Sequence, residues 1–355
     1  MKRVLVIFGG VSSEHEVSLI SAKSVFENIP ADKYEIIGLG ITKDGRWFKY
    51  SGDWANLPDD KWLSDWSNLT PATISADRCF GGLLLLNRDS TEKVNIDVVF
   101  PVLHGKNGED GTIQGLLQLA GIPFVGSDML SSAVCMDKAV TNTLADAAGI
   151  AQAKWMSVKK HEYNTDPGVF LKKAVEYLKY PIFVKPANAG SSVGISKAVD
   201  EQGLRKAAAA AFEHDEKIVL EEGIDGCEGE CAVLGNNEPV ASVVGEIVPC
   251  NEFYDYHAKY IAGTTQLHIP ARLDDSKIEE VRATACRAYK HLGCSGLARI
   301  DFFVRKSDNA VLLNESNTLP GFTSISMYSK LFEAAGIPYP ELLDRLISLA
   351  IEKWS

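Results

Sequence analysis

Four polar side chains near residue 300 have the spacing that a metal or phosphate site needs. Arg299 and Asp301 lie two residues apart in an apolar run that predicts a strand, and Glu315 and Asn317 lie two apart at the end of the next run. Side chains two apart on a strand point to the same face, so these four are expected to share one face of a sheet. Carboxylate and amide oxygens are ligands that Mg²⁺ prefers, and a neighbouring arginine can neutralise a phosphoryl group or an oxyanion. Salt bridges without any chemical role are the alternative interpretation.

A lysine followed by a glycine- and serine-rich loop forms the second pattern. Lys185 ends the apolar run 182–185, and the loop 186–194 contains Ser191 and Ser192. A buried, unpaired ammonium group is costly, whereas a lysine beside such a loop can bind phosphate together with the loop N–H groups. The lysine precedes the glycines, so this is not a Walker A loop. We predict phosphate binding here, with a plain turn as the alternative.

Two loops in the first third follow short apolar runs and contain glycine beside charged residues. The loop 9–16 follows the run 4–8, and the loop 104–112 follows the run 98–102. Strand-like runs alternate with helical periods here, which predicts a parallel sheet with ligand sites beyond the carboxyl ends of its strands. Glu14 could hold a substrate ammonium group, although an acid in the first turn of a helix also complements the helix dipole.

Three weaker patterns complete the candidate set. The segment 221–224 ends a predicted strand, where backbone groups could bind an adenine edge, and Glu228 could accept hydrogen bonds from ribose hydroxyl groups. The turn 320–326 offers the Gly321 N–H group and several hydroxyl groups that could bind a carboxylate. The aromatic and charged segment 253–260 is predicted to be a loop that closes over a reaction from which water must be excluded.

Length and composition limit the function classes. A chain of 355 residues suits two or three domains, and 46% hydrophobic and 23% charged residues are ordinary globular values. The net charge of −11 argues against a general nucleic-acid binder. Apolar runs are too short for a signal peptide or a membrane span, so we expect a cytoplasmic protein without membrane contact. The seven cysteines contain no CxxC pair, which favours reduced thiols over a metal site.

Some segments carry structure but little chemical information. Residues 94–101 and 122–125 are predicted to be strands, and residues 276–292 and 341–353 to be helices. A tryptophan- and aspartate-rich insertion, residues 42–92, is predicted to be a surface elaboration with a hairpin or two.

Taken in order, these segments resemble the D-alanine–D-alanine ligase family of ATP-grasp enzymes. The resemblance spans residues 9 to 327 and rests on GGVSSEHEVSL, HGKNGEDGTIQG, MDK, VKPANAGSSVGIS, FYDYHAKY, ARIDFF and NESNTLPGFTS. It implies an α/β chain (α+β in the C-terminal part) with the ATP-grasp fold and an N-terminal parallel-sheet domain before it. The implied domains are 1–128 for substrate, 129–227 for the central ATP-grasp part, and 228–355 for the magnesium and oxyanion site.

The resemblance also implies a role for each residue that matches a family motif. ATP would be bound by Lys138, Lys185, Ser192, Glu221, Glu222, Ile224, Glu228 and Lys259. Two Mg²⁺ ions, or Mn²⁺ in their place, would be held by Asp301, Glu315 and Asn317. The catalytic and substrate-binding residues would be Glu14, His104, Ser191, Tyr260, Arg299, Gly321, Ser326 and Met327. Among these, Glu14 would bind the ammonium group of the first D-alanine, hydrogen-bonded to Ser191 and Tyr260.

The implied activity is ATP-dependent ligation of two D-alanine molecules, through an acyl phosphate, for peptidoglycan precursor synthesis. A homodimer is expected from the family. The rival interpretations are a ligase that uses D-serine or D-lactate as second substrate, a non-catalytic nucleotide-binding protein, and a NAD-binding dehydrogenase. Met327 is apolar where the D-serine form typically has a basic residue, and G-x-G-x-x-G is missing. Two positions depart from the family pattern: Ser316 replaces a usually apolar residue, and Ser329 a usual proline.

The predicted closing loop can be tested at Tyr260. If its hydroxyl group binds toward Glu14 and Ser191, Tyr260→Phe should lose one buried hydrogen bond, about 0.5–1.5 kcal/mol and up to ~3 beside a charged partner. Ligation should weaken modestly and discrimination for the second substrate should fall, while ATP affinity stays nearly constant. Steady-state kinetics with a panel of second substrates measures this. If ligation rate and selectivity are both unchanged, the ring only packs the loop.

Overall fold

Three β-sheets and ten α-helices make up the described part of the chain. The computed structural model describes residues 1–248, 266–323 and 325–354. The first sheet contains β1 (Lys2–Gly9), β2 (Tyr34–Ile41), β3 (Trp47–Tyr50), β4 (Leu69–Ile74), β5 (Gly82–Leu86), β6 (Thr91–Asn95) and β7 (Val98–Val102). Its strand order is β6-β5-β4-β3-β2-β1-β7. β1 pairs in parallel with both β2 and β7, so the predicted parallel arrangement is confirmed at the centre of this sheet.

The helices that cover the first sheet begin directly after its central strands. The helices α1 (His15–Asn28) and α2 (Thr112–Ala120) follow the loops that leave β1 and β7. Buried apolar residues of β1, with Leu5 and Ile7 on one face and Val6 and Phe8 on the other, pack against separate core clusters. This two-sided burial explains why β1 is a continuous apolar run rather than an alternating one.

The other two sheets are antiparallel. The second contains β8 (Trp155–Lys159), β9 (Ile182–Pro186), β10 (Ser196–Ala198) and β11 (Lys217–Glu222), in the order β10-β9-β11-β8. The third contains β12 (Gly226–Gly235), β13 (Val240–Val248), β14 (Gln266–His268), β15 (Gly296–Arg305) and β16 (Val311–Asn317), in the order β14-β13-β12-β15-β16. The helices α3 (Met129–Met136) and α4 (Lys138–Ala147) connect the first sheet to the second.

Six further helices support these sheets. They are α5 (Lys160–Thr165), α6 (Pro167–Leu178), α7 (Glu201–Ala211), α8 (Asp275–His291), α9 (Met327–Ala334) and α10 (Tyr339–Trp354). The last of them returns to the start of the chain, because its buried leucines share one core cluster with β1, α1 and β7. The first and third sheets therefore share a hydrophobic core. Within the described ranges, no helix has the length and apolar character required to cross a membrane.

Two sequence-based expectations for the fold were wrong in detail. Residues 94–101 form parts of two strands, because the extended structure is interrupted between Asn95 and Val98. In this interruption the carboxylate of Asp97 accepts a hydrogen bond from the Arg3 N–H group. Residues 122–125 do not form a strand and contribute an isolated bridge between Phe124 and Val99. Residues 98–101 pair with β1 as part of β7, so the first prediction fails at residues 96 and 97, where the strand is interrupted.

The tryptophan-rich insertion is more than a surface elaboration. It contributes β3 to β6 to the first sheet and places Trp62 in the core with no exposed surface. The Trp62 ring packs edge-on against Phe8, with ring centres 5.2 Å apart, and the Trp54 ring stacks on Phe26 at 3.8 Å. The insertion therefore covers one face of β1 and α1, and it is part of the core of the first sheet.

This packing predicts unequal roles for two tryptophans of the insertion. Trp62→Ala should lower the free energy of unfolding by roughly 3–5 kcal/mol, because it removes a fully buried ring and leaves a cavity. Trp66 is 72% exposed, so Trp66→Ala should change stability by less than about 0.5 kcal/mol. Urea unfolding followed by circular dichroism compares the two. Equal midpoints for both variants would contradict the assignment of Trp62 to the core.

Candidate active site

A cavity of about 620 Å³ lies where the three sheets meet. Its wall contains every predicted site residue that lies within the described ranges. These residues are Glu14, His104, Lys138, Lys185, Ser191, Ser192, Glu221, Glu222, Ile224, Glu228, Arg299, Asp301, Glu315, Asn317, Gly321, Ser326 and Met327. Lys259 and Tyr260 were also predicted, and they lie outside the described residues.

The third sheet presents a row of carboxylates to this cavity. Glu230 of β12 lies opposite Asp301 of β15, which lies opposite Glu315 of β16, and Arg299 lies opposite Asn317. Residues directly opposite one another in a sheet point to the same face. The predicted placement of Arg299, Asp301, Glu315 and Asn317 on one face of neighbouring strands is therefore confirmed.

Arg299 is partly buried between two of these carboxylates. Its Nε and Nη2 atoms donate to the two oxygens of Asp301 at 2.8 and 2.7 Å, and Nε lies 3.1 Å from Glu230 Oε2. Burial opposes the guanidinium charge, but Asp301 and Glu230 outweigh it and hold the pKa of Arg299 well above its ordinary value. A fixed, charged guanidinium group therefore faces the cavity.

Two lysines flank the glycine- and serine-rich loop where it borders the cavity. Lys185 Nζ lies 2.6 Å from Glu221 Oε2 and 3.5 Å from Asn314 Oδ1. Burial lowers the pKa of Lys185, yet the charges of Glu221 and Glu315 raise it above its ordinary value. Lys138 starts α4 and donates from Nζ to the Ala189 carbonyl oxygen at 2.7 Å. Both side chains are charged groups held by the protein at the edge of the cavity.

The glycine- and serine-rich loop contacts the loop after β1. Ser191 Oγ donates to Glu14 Oε2 at 2.7 Å, which confirms the predicted contact between these two residues. Ser191 and Ser192 both have positive φ angles, of 49° and 61°. Residues other than glycine rarely adopt such angles, and they cluster at binding sites where the surrounding contacts hold them. The first and second sheets thus meet at Glu14.

His15, the residue after Glu14, anchors this corner to the insertion. Its Nδ1 atom lies 2.8 Å from the Gly10 carbonyl oxygen, and its Nε2 atom lies 2.9 Å from Asp60 Oδ1. Burial raises the pKa of Asp60, but the hydrogen bond from His15 and the charge of His15 lower it by more. The pKa of Asp60 is therefore below its ordinary value. The carboxylate of Asp60 therefore stays ionised beside the buried ring.

The turn at Gly321 forms the end of the cavity near the third sheet. Ser326 Oγ accepts a hydrogen bond from the Thr323 N–H group at 3.0 Å and lies 2.8 Å from Thr323 Oγ1. A Cβ atom on Gly321 would lie 2.8 Å from Ser326 Oγ, so a larger residue here would displace the Ser326 side chain. Met327, directly after Ser326, is buried in the wall.

Several polar residues at the cavity were not predicted from the sequence. Glu230 and Asn314 line it, Asp137 pairs with Lys217 beneath Lys138, and Ser21 contacts His104 from behind. Glu230 could have been found, because it lies two residues after Glu228 in the same strand and shares its face. The others have no local pattern, since their partners are far away in the sequence.

The family is decided by comparison with known proteins. A family model described as "D-ala D-ala ligase N-terminus" matches residues 3–127, and one described as "D-ala D-ala ligase C-terminus" matches residues 144–348. The chain belongs to the D-alanine–D-alanine ligase family. Enzymes of this family are ATP-dependent and have the ATP-grasp fold, so ATP is a substrate and the predicted fold class is confirmed.

Similar proteins agree along the full chain. The D-alanine–D-alanine ligase of Caldicellulosiruptor bescii is 52% identical over 99% of this chain and 95% of its own length. The ligase of Acetivibrio thermocellus is 51% identical over 100% and 97%. Among solved structures, the D-Ala:D-Ser ligase VanG of Enterococcus faecalis has a TM-score of 0.90 at 44% identity, covering 98% of this chain and 99% of that one. The D-alanine–D-alanine ligase of Coxiella burnetii has a TM-score of 0.86 at 37% identity, covering 100% and 96%.

Proposed function

We propose that this D-alanine–D-alanine ligase family member joins two D-alanine molecules, converting ATP to ADP and phosphate. The observation that carries the proposal is the convergence of three sets of groups on one cavity. Glu14 and Ser191 form the first set, the lysines 138 and 185 the second, and the acidic face around Arg299 the third. These sets suit an ammonium group, a polyphosphate and a reacting carbonyl group, respectively.

The chemistry must activate a carboxylate before an amine can attack it. The carboxylate of the first D-alanine attacks the γ-phosphoryl group of ATP, so that an acyl phosphate forms and ADP leaves. Lys138 and Lys185 are placed to spread the charge of that transfer, and Glu14 is placed to hold the ammonium group of the same molecule. Positioning and charge stabilisation therefore supply most of the rate in this step.

The second D-alanine completes the bond. Its amine attacks the acyl carbon, and the tetrahedral oxyanion accepts hydrogen bonds from Arg299 and the Gly321 N–H group before phosphate leaves. Ser326 is proposed to bind the carboxylate of this second molecule, with Met327 as the apolar wall beside it. Such a wall suits a methyl side chain better than a hydroxymethyl side chain, which favours D-alanine over D-serine.

The donor set on the third sheet fits divalent cations. Asp301 and Glu315 would supply carboxylate oxygens and Asn317 an amide oxygen, which are ligands that Mg²⁺ prefers, and water and substrate would supply the others. Across the described ranges, no cluster of three or more His, Cys, Asp or Glu side chains could hold a metal ion alone. Two Mg²⁺ ions, with Mn²⁺ as a substitute, would neutralise the transferring phosphoryl group.

A cation at Asp301 would compete with Arg299 for the same oxygens. In the structure both Asp301 oxygens accept hydrogen bonds from Arg299. Glu230 lies within ion-pair distance of the same guanidinium group. Arg299 can therefore keep a buried partner when Asp301 binds the cation, and it remains beside the reacting carbonyl group.

Several expectations from the resemblance belong to the same proposal. We propose the domain limits 1–128, 129–227 and 228–355, a homodimer, and a cytoplasmic role in peptidoglycan precursor synthesis. Ser192, Glu221, Glu222, Ile224, Glu228 and Lys259 are proposed to bind ATP, and Tyr260 to close over the substrates. His104 is proposed to lie beside the first D-alanine.

The product identifies the second substrate. Incubation with ATP, Mg²⁺ and D-alanine, D-serine and D-lactate together should give D-alanyl-D-alanine as the main product, because Met327 offers no polar partner to a hydroxyl group. Mass spectrometry of the products and release of inorganic phosphate measure this. D-alanyl-D-serine or D-alanyl-D-lactate as the main product would contradict the assignment. The similarity to VanG makes D-serine the first alternative to test.

Glu315 tests the cation site. Glu315→Gln keeps the size of the side chain but removes one negative charge, so turnover should fall by about 10²-fold or more, as for other positioned electrostatic groups in active sites. The half-saturating Mg²⁺ concentration should rise as well. Glu333, an exposed residue of α9, provides the control, and Glu333→Gln should behave like the wild type. Near-normal turnover of Glu315→Gln at ordinary Mg²⁺ concentrations would exclude Glu315 as a ligand.

A further inference from the structure

Ser21 lies in α1 between two segments that reach the cavity from different sheets. The side chain is fully buried. Its Oγ atom lies 3.0 Å from Nε2 of His104, and it accepts a hydrogen bond from the Phe322 N–H group at 3.4 Å. His104 lines the cavity on the side of the first sheet, and Phe322 directly follows Gly321 in the turn of the third.

The contacts around His104 favour one arrangement of the hydrogen atoms. A backbone N–H group can only donate, so Ser21 Oγ accepts from Phe322 and keeps its own hydrogen atom for donation. Nδ1 of His104 lies 3.6 Å from Glu109 Oε1, and an ionised carboxylate can only accept. The proton of a neutral His104 is therefore favoured on Nδ1, and Nε2 accepts a hydrogen bond from the Ser21 hydroxyl group. The Ser21 hydroxyl group thus donates a hydrogen bond to His104 and accepts one from the Phe322 N–H group.

The backbone of Phe322 is held on its other side as well. Its carbonyl oxygen accepts a hydrogen bond from the Tyr339 hydroxyl group at 3.1 Å, and Ser24, one turn after Ser21, lies 3.4 Å from that hydroxyl group. The turn that carries the Gly321 N–H group is therefore fixed against α1 through both polar groups of the next residue. Ser21 differs from Tyr339 and Ser24 in that its hydroxyl group also contacts His104 in the cavity wall.

We propose that Ser21 is a positioning residue that fixes the His104 tautomer and the Gly321 turn relative to each other. This rests on the proposed function, in which His104 lies beside the first D-alanine and the Gly321 N–H group binds the oxyanion. Ser21 itself is buried behind both groups and does not touch substrate. Its hydroxyl group links the wall that binds the first substrate to the turn that stabilises the attack by the second.

Ser21→Ala tests the proposal, because alanine leaves both partners without this hydrogen bond. The kcat for dipeptide formation should fall roughly 5–30-fold. This factor corresponds to about 1–2 kcal/mol, the cost of losing a buried hydrogen bond. The KM for ATP should stay unchanged, since Ser21 contacts neither Lys138 and Lys185 nor the segment 221–224 that is proposed to bind adenine. Hydrogen exchange of the Phe322 amide should become faster, and ¹⁵N NMR of His104 should show a mixture of tautomers.

Ser242 offers a matched control. It is also a buried serine whose Oγ accepts a backbone hydrogen bond, from Ala232 N–H at 3.0 Å, but it does not line the cavity. Ser242→Ala should lose stability to a similar degree while kcat, the Phe322 exchange rate and the His104 spectrum stay as in the wild type. If Ser21→Ala shows the same pattern as Ser242→Ala, Ser21 serves stability alone and the proposal is wrong.

Two further measurements separate the possible failures. The His104 spectrum of the unaltered protein must show the proton on Nδ1, and a proton on Nε2 would overturn the proposal even if Ser21→Ala does not fold. In a double-mutant cycle, Ser21→Ala should reduce kcat less in the His104→Gln background than in the wild type, because part of its effect passes through His104. Fully additive effects would contradict that link.

If the unaltered protein forms no dipeptide, the proposed function fails, while the exchange and NMR results still decide the role of Ser21.

Discussion

The ion pairs of the partly buried Arg299 are the constraint on which the site depends. Five carboxylates of the third sheet line one cavity, and they come from Glu228, Glu230, Glu246, Asp301 and Glu315. A buried charge is costly unless it is paired, so such a row can exist in a folded chain when cations compensate it. Arg299 and Lys185 are placed for this purpose, and the pKa of each is raised by the surrounding acids. In the proposed function, the remaining negative charge would be compensated by the cations that accompany ATP.

The first and second sheets also contribute polar side chains to the cavity. Lys185 comes from β9 of the second sheet, yet the acids that raise its pKa include Glu315 of the third. Glu14 comes from the first sheet and pairs with Ser191 of the second. The cavity is therefore completed only when all three sheets are in place. The shared core of β1, α1 and α10 supplies the apolar burial that holds the first and third sheets together.

The insertion 42–92 has a part in this arrangement. Trp62 and Trp54 pack against β1 and α1, and Asp60 binds the ring of His15 beside Glu14. Packing and a polar contact from the insertion thus fix the corner that holds the predicted ammonium-binding carboxylate. A segment with weak periodicity can have such a role, because aromatic rings bury large areas without a regular pattern.

The sequence by itself determined the family, the alternation of strands and helices in the first third, and the residue pairs that share a strand face. Arg299 with Asp301, and Glu315 with Asn317, follow from spacing, since a strand has a fixed period of two. Ser21 with His104, Asp60 with His15, and Arg299 with Glu230 were decided only by the tertiary structure. These pairs join residues separated by 83, 45 and 69 positions (299 − 230 = 69). No local period relates such positions, because their proximity results from sheets and helices that pack around a common core.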